Sequence, residues 1–256
     1  MKVISISLQK GGTAKTTTAI NLAADLTAKG KKVLLIDMDS QANATFASGI
    51  NSRDLDNSLY NVLTSENRYR CTISEAILST DYYDIIPADR DVADLVNEMT
   101  KAVQLKSCLE TIKGRYDYVV LDTPPALNVV TLNAFVASDS IIIPTEPKPF
   151  NFTGMRDLED TIEDVKKNWN KSLTVLGILL VKYSNRTNLN KQIKELIDRE
   201  ATHLGTTCFT TTIREGIAVP ESQMAQEPLI EYAPKAKPTI DYKGFTTEVL
   251  ERLGDK

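Results

Sequence analysis

Two glycines, two lysines and three threonines stand together at positions 10–17, in the order Lys10-Gly11-Gly12-Thr13-Ala14-Lys15-Thr16-Thr17. Small residues in succession let backbone N–H groups turn inward around an anion, because few side chains bar its approach. A lysine at the far end of such a loop adds a point charge, and a hydroxyl beside it can ligate a divalent cation. This spacing suits the phosphates of ATP: Lys15 on the β- and γ-phosphates, Thr16 on Mg²⁺. A glycine turn that merely joins strand to helix is the plainer reading, and the Lys-Thr-Thr that follows argues against it. Position 14 departs from the usual glycine before the lysine. If the backbone there is left-handed, alanine costs about 1 kcal/mol of strain, which predicts weaker nucleotide binding with the site retained.

Two acidic motifs accompany the loop. Asp37-Met38-Asp39-Ser40-Gln41 follows one apolar run, and a second apolar run over 118–122 ends in Asp122 before Thr123-Pro124-Pro125. Beside a phosphate loop, an aspartate ending a buried strand holds Mg²⁺ through water, which is the role assigned to Asp122. Asp37 either joins Thr16 and Asp122 around the metal or caps a neighbouring turn, as loop aspartates commonly do. The Thr-Pro-Pro turn would be a switch that senses the γ-phosphate.

The elements that must hold these motifs are legible as apolar runs and helical periodicities. Strands are predicted over 2–8, 32–37, 83–87, 118–122, 140–144, 174–183 and 208–213, mostly as continuous runs, the pattern of strands buried on both faces. Helices are predicted over 16–29, with Gly30 as a stop, and over 95–112, 153–169, 190–204 and 246–253. Strand–helix alternation implies an α/β fold, read here as a single domain over 1–256. Its core would be a twisted, mostly parallel sheet of seven to eight strands with helices on both faces. Ligands then belong at the C-terminal ends of the strands, where all three motifs fall.

Composition narrows the function. The chain has 256 residues, is 42% hydrophobic and 25% charged, and carries a net charge of −4. A balance this acidic excludes a wholesale nucleic-acid coat, so any DNA contact must come from a local patch. Cys71, Cys108 and Cys208 have no zinc-ligand spacing, and the single His203 reads as a solvated side chain. No run reaches the length of a membrane span, so a soluble, cytoplasmic protein with no membrane contact is predicted.

The loop's opening lysine, KGGxxKTT in place of GxxxxGK[ST], resembles the deviant phosphate loop of ParA/MinD-type ATPases. The likeness runs on through TTTAINLAADLTAKGKKVLLIDMDSQANAT and YDYVVLDTPPALNVVTLNAFVASDSIIIPTE. It resurfaces in TTIREGIAVPESQ and IEYAPKAK, in the order found in ParA and Soj partition ATPases. The resemblance implies the P-loop NTPase fold, ATP/ADP and Mg²⁺ as ligands, and a homodimer closed by ATP. In that dimer Lys10 reaches the partner's ATP. Asp39 matches the second aspartate of the family's DxDPQ motif, which positions the attacking water, with Ser40 where the family has proline. The implied activity is a DNA partition or positioning ATPase, nucleoid-associated when ATP-bound, that binds DNA non-specifically. A ParB-like adaptor or centromere-binding protein would release it by stimulating hydrolysis. Arg186, Arg214, Lys235 and Lys237 are the DNA-facing candidates, and the family's DNA-touching arginine falls near Ile217 or Ala218. Adenine contacts are expected at 182–186 and 213–221. The alternatives are a MinD-like membrane-surface ATPase, an ATPase switch without DNA, an electron-transfer ATPase and a small-molecule ligase. The MinD-like reading needs a basic amphipathic C-terminus, whereas Glu248, Glu251 and Asp255 make this one acidic.

Overall fold

The apolar runs become strands because each is covered on both faces. The computed structural model describes residues 1–97, 102–148, 151–184 and 188–255. Seven strands form one sheet among them: β1 (Lys2–Ile6), β2 (Val33–Asp37), β3 (Leu78–Ser79), β4 (Asp84–Ile86), β5 (Tyr118–Asp122), β6 (Ser140–Thr145) and β7 (Thr174–Leu180). Their order is β3-β4-β2-β5-β1-β6-β7, and all neighbours are parallel except the β3–β4 pair. Every residue of β2, β5 and β6 is buried.

Ten α-helices connect the strands among the described residues: α1 (Lys15–Ala28), α2 (Asn43–Ala47), α3 (Leu59–Leu63), α4 (Gln104–Glu110), α5 (Val129–Ala137), α6 (Asn151–Asn168), α7 (Asn188–His203), α8 (Ala218–Ala225), α9 (Leu229–Tyr232) and α10 (Lys237–Arg252). Alternate strand residues feed two cores, as a two-residue repeat requires. Val3, Leu34, Ile36, Val119 and Leu121 pack with α4 to α7. Ile4, Ile6, Val33, Leu35 and Val120 face the other way, onto α1 and α10.

Three expectations change. Residues 208–213 make no strand; they touch β7 and its extension through single bridges at Cys208 and Ile213. The Glu248 carboxylate of α10 accepts the Thr210 and Thr211 N–H groups, so a side chain satisfies backbone donors that a ladder would otherwise use. The helix expected over 95–112 is a 3-10 segment at Arg90–Asn97 followed by α4. The last helix begins nine residues early, at Lys237, because Pro238 sits in its first turn, where a missing N–H breaks no bond. The helix α5 was not foreseen, although Asn128 caps it by accepting from the Val130 and Thr131 N–H groups.

The helix α1 is held from the C-terminal side. The Thr18 and Tyr242 hydroxyls hydrogen-bond, Asn21 accepts the Leu229 N–H, and the Thr246 hydroxyl donates to Asp25 at 3.4 Å. Burial pushes Asp25 up to about 6, against the opposing pull of Lys243, Thr246 and Lys29. Its folded pKa therefore lies above the unfolded one, the folded state binds the extra proton, and stability falls as pH rises through that window. Asp25→Asn is expected to raise the unfolding free energy near neutral pH by about 2 kcal/mol and to flatten the decline between about pH 4 and 6. Denaturant titrations of both proteins across that range provide the check.

Candidate functional site

Sheet order brings the three motifs together. The strands β2, β5 and β1 are neighbours, and Asp122 is paired in register with Asp37 on one side and Ile6 on the other. The loop after β1 carries residues 10–17, the loop after β2 carries Asp39, and β5 ends on Asp122. The loops after these three strands border a cavity of about 1040 Å³ whose walls include Gly11 to Thr17, Asp39, Gln41 and Pro125.

The phosphate loop has the backbone that its sequence demands. Gly12 has φ +78°, and Ala14 sits at φ 61°, ψ 29°, in the left-handed region where alanine is strained. Ala14 precedes the first turn of α1 with no side-chain cap, so the first N–H groups of a 14-residue helix face the loop. The Lys15 ammonium donates to the Lys10 carbonyl at 2.8 Å and is almost entirely buried. Burial lowers its pKa, with Asp122 and Asp39 pulling the other way. The Gln223 amide of α8 donates to the Thr17 hydroxyl at 3.0 Å, tying the first turn to α8.

The acidic residues divide the work differently from the simplest expectation. Asp37 is fully buried and accepts from the Thr45 N–H and hydroxyl, both at 2.8 Å, and from the Asp39 N–H at 3.1 Å. Of the two alternatives for Asp37 these hydrogen bonds fit the cap: its carboxylate organises the loop that carries Asp39. Burial still pushes it up to about 6, against those hydrogen bonds. Asp39 in turn accepts the Gln41 N–H at 3.0 Å.

Asp122 is the opposite case. Neither carboxylate oxygen has a hydrogen-bond partner among the described residues, although both are inaccessible to water. Burial raises its pKa well above the carboxylate range and Asp37 adds to that, while the nearby Thr16 hydroxyl and Lys15 ammonium favour the ionised form. A buried carboxylate without a donor, beside a threonine hydroxyl, is a site that a divalent cation would satisfy. Thr123 ties the following turn to β1 by donating from its hydroxyl to the Ile6 carbonyl at 2.9 Å.

Another part of the cavity wall is formed by Val181, Lys182, Ile213, Gly216, Val219 and Pro220. Of the two segments expected to meet the base, the apolar Ile213, Val219 and Pro220 of the second, with Val181, offer a surface on which a flat ring could lie, whereas the Lys182 ammonium is turned to Glu146 and the Gly12 carbonyl. Phe46 and Met224, neither singled out in the sequence, extend this wall and are exposed. Their only sequence signal was that of ordinary helical apolar residues. Arg214, a DNA-facing candidate, makes a two-pronged pair with Asp241, at 2.6 and 2.8 Å, and lines the cavity. Lys235 and Lys237 are exposed. Arg186 lies outside the described residues.

A family model described as an AAA domain matches residues 1–175. Sporulation initiation inhibitor protein Soj of Bacillus subtilis is 35% identical over 254 residues, covering 97% of this chain and 98% of Soj. Chromosome partitioning protein ParA of Caulobacter vibrioides is 34% identical over 264 residues, covering 100% of this chain and 96% of that protein. A solved structure described as cobyrinic acid a,c-diamide synthase from Mycobacterium smegmatis, with bound ADP and magnesium, aligns with a TM-score of 0.85. It is 29% identical and covers 99% of this chain and 96% of its own.

The left-handed Ala14 yields a direct test. Ala14→Gly removes the steric cost while keeping the loop's donors, so it is expected to stabilise the fold by up to about 1 kcal/mol. A thermal melt of the two proteins would read the gain.

Proposed function

We propose, from the premise that this chain belongs to the AAA-domain family of ParA/MinD-type ATPases, that it is an ATP-driven partition switch working on DNA. ATP and Mg²⁺ occupy the cavity, two copies close over the nucleotides, and the closed dimer rides on DNA until a ParB-like adaptor stimulates hydrolysis. The observation that carries this reading is a buried Lys15 within electrostatic reach of the Asp122 carboxylate, whose oxygens have no hydrogen-bond partner among the described residues, beside a phosphate loop that borders a nucleotide-sized space.

Bound Mg²⁺ would supply positive charge to the phosphates and to Asp122, held by the Thr16 hydroxyl and, through water, by Asp122. The chain's own residues do the rest. Lys15 exchanges the Lys10 carbonyl for the β- and γ-phosphates, and the loop N–H groups from Gly11 to Thr17 surround the same oxygens. Asp39, steadied by the Asp37 cap, orients the attacking water. Lys10 crosses to the partner's γ-phosphate, where a cation stabilises the charge that develops as the bond breaks. A lipid-bound variant of this cycle is less favoured, because Tyr242, Phe245, Val249 and Leu250 of α10 are buried against the body of the protein. A ligase reading has no use for Lys10.

Nucleotide binding should depend on Lys15 and Thr16, and not on Lys10 or Asp39. Lys15→Ala and Thr16→Ala are expected to abolish Mg-ATP binding in calorimetry with the circular dichroism spectrum unchanged; undiminished affinity in Lys15→Ala would overturn the assignment. Lys10→Ala should bind nucleotide and stay monomeric in sedimentation, and Asp39→Ala should bind, dimerise and stall. If both hydrolyse ATP at the wild-type rate, the dimer mechanism is wrong.

DNA binding should require ATP. A monomer of net charge −4 binds DNA weakly, whereas a two-fold dimer doubles any basic patch on one face. With Lys235 and Lys237 from each subunit, four phosphates are neutralised, and the log–log salt slope is expected near roughly −4. Scrambling the duplex should not alter affinity, because phosphate contacts carry no sequence information. Lys235→Glu with Lys237→Glu should flatten the slope and spare ATP binding, as read by fluorescence anisotropy. Absence of ATP-dependent binding at low salt would leave an ATPase switch that acts without DNA.

A further inference from the structure

A second lysine approaches the phosphate loop from the side away from the aspartates. The strands β6 and β7 lie beyond β1, and each ends in a charged residue at the level of the loop: Glu146 directly after β6, and Lys182 two residues after β7. Glu146 is 5% exposed, an uncommon burial for a carboxylate, and it pairs with two ammonium groups. One is Lys182, at 2.6 Å; the other is the exposed Lys148. Those hydrogen bonds hold its pKa below the usual carboxylate range, although burial works against them.

The Lys182 side chain also donates to the Gly12 carbonyl of the phosphate loop at 3.4 Å, and it lines the cavity. Its backbone is left-handed, with φ 49°, a conformation that disfavours any residue with a Cβ. A strained backbone whose side chain is fixed by a buried partner persists only where its surroundings hold it in place. Lys15 thus holds the Lys10 carbonyl of the loop, and Lys182 the Gly12 carbonyl.

The consequence follows from peptide geometry. In a trans peptide the C=O and the following N–H point in opposite directions. Holding the Gly12 oxygen against the β6–β7 side turns the Thr13 N–H the other way, towards the anion. Lys15 must release its carbonyl to reach a phosphate, whereas Lys182 need not. We infer that Lys182, anchored by Glu146, is a positioning residue that presets the Gly12–Thr13 peptide for phosphate binding. This rests on the nucleotide reading above and adds to it a control of phosphate affinity from outside the motif. The anchoring residues come from strands that contribute nothing to the three sequence motifs.

The test is a ligand series. Lys182→Met keeps the length and the backbone strain and removes the donor. It is expected to weaken ADP binding about fivefold, the loss of one long charge-assisted hydrogen bond, while adenosine binding is unchanged. Lys182→Arg should restore most of the ADP affinity, and Glu146→Gln should lose affinity for ADP but not for adenosine. Thermal melts establish that each variant is folded, and Lys15→Ala serves as the reference for complete loss. Equal ADP affinity in wild type and Lys182→Met overturns the positioning role and leaves the nucleotide site standing. A parallel loss for adenosine also overturns it, since that would mark a general wall of the cavity. If the wild type itself takes up no ADP, the nucleotide reading fails and this inference with it.

Discussion

Lys15 is buried at the head of α1 within reach of Asp122, which has the buried Asp37 beside it, and taking such charges out of water costs several kcal/mol each unless they are paired. The protein meets that cost unevenly. Asp37 receives three hydrogen bonds, Lys15 is given one backbone carbonyl, and Asp122 is given none. An imbalance of this kind makes the site receptive, because a cation with an anionic ligand supplies what each group lacks. Burial is the lever: the same residues in water would keep ordinary pKa values and gain little from a partner.

Everything around the cavity serves to keep that arrangement from relaxing. The loop that carries Asp39 is tied to Asp37, whose own partner Thr45 uses its hydroxyl to accept the Ala88 N–H. The turn after Asp122 is tied to β1 through Thr123, and the first turn of α1 to α8 through Gln223. The C-terminal helix in turn packs Tyr242 and Phe245 into the core on the α1 side of the sheet. A disturbance at α8 or α10 therefore reaches the head of α1 through a few named hydrogen bonds, without crossing the sheet. Strain at Ala14 and Lys182 is tolerated because each lies at the edge of this network, where packing fixes the backbone around it.

The sequence determined the motifs, their order and the kind of sheet that holds them. Residues 10–17 specify a phosphate cradle through local backbone chemistry, and a continuous apolar run such as 118–122 can only be a strand with both faces covered. Those are short-range properties, so the parallel α/β class and the places of the three motifs along the chain were readable without coordinates. The strand over 208–213 failed for the complementary reason. Its pattern was adequate, but Glu248, some forty residues further on, supplies acceptors for its N–H groups.

Tertiary structure alone decided which charged residues are available. Nothing local in the sequence distinguishes Asp37 from Asp39, or Arg214 from Lys235. Partners distant in the chain make the difference: Asp241 neutralises Arg214, and Thr45 occupies Asp37. Glu146 and Lys182 are 36 residues apart and carry no motif, yet β6 and β7 bring them to 2.6 Å beside the loop after β1. Spacing along the chain fixes local geometry, whereas burial and pairing depend on which strands become neighbours, and these set the energy of a charge.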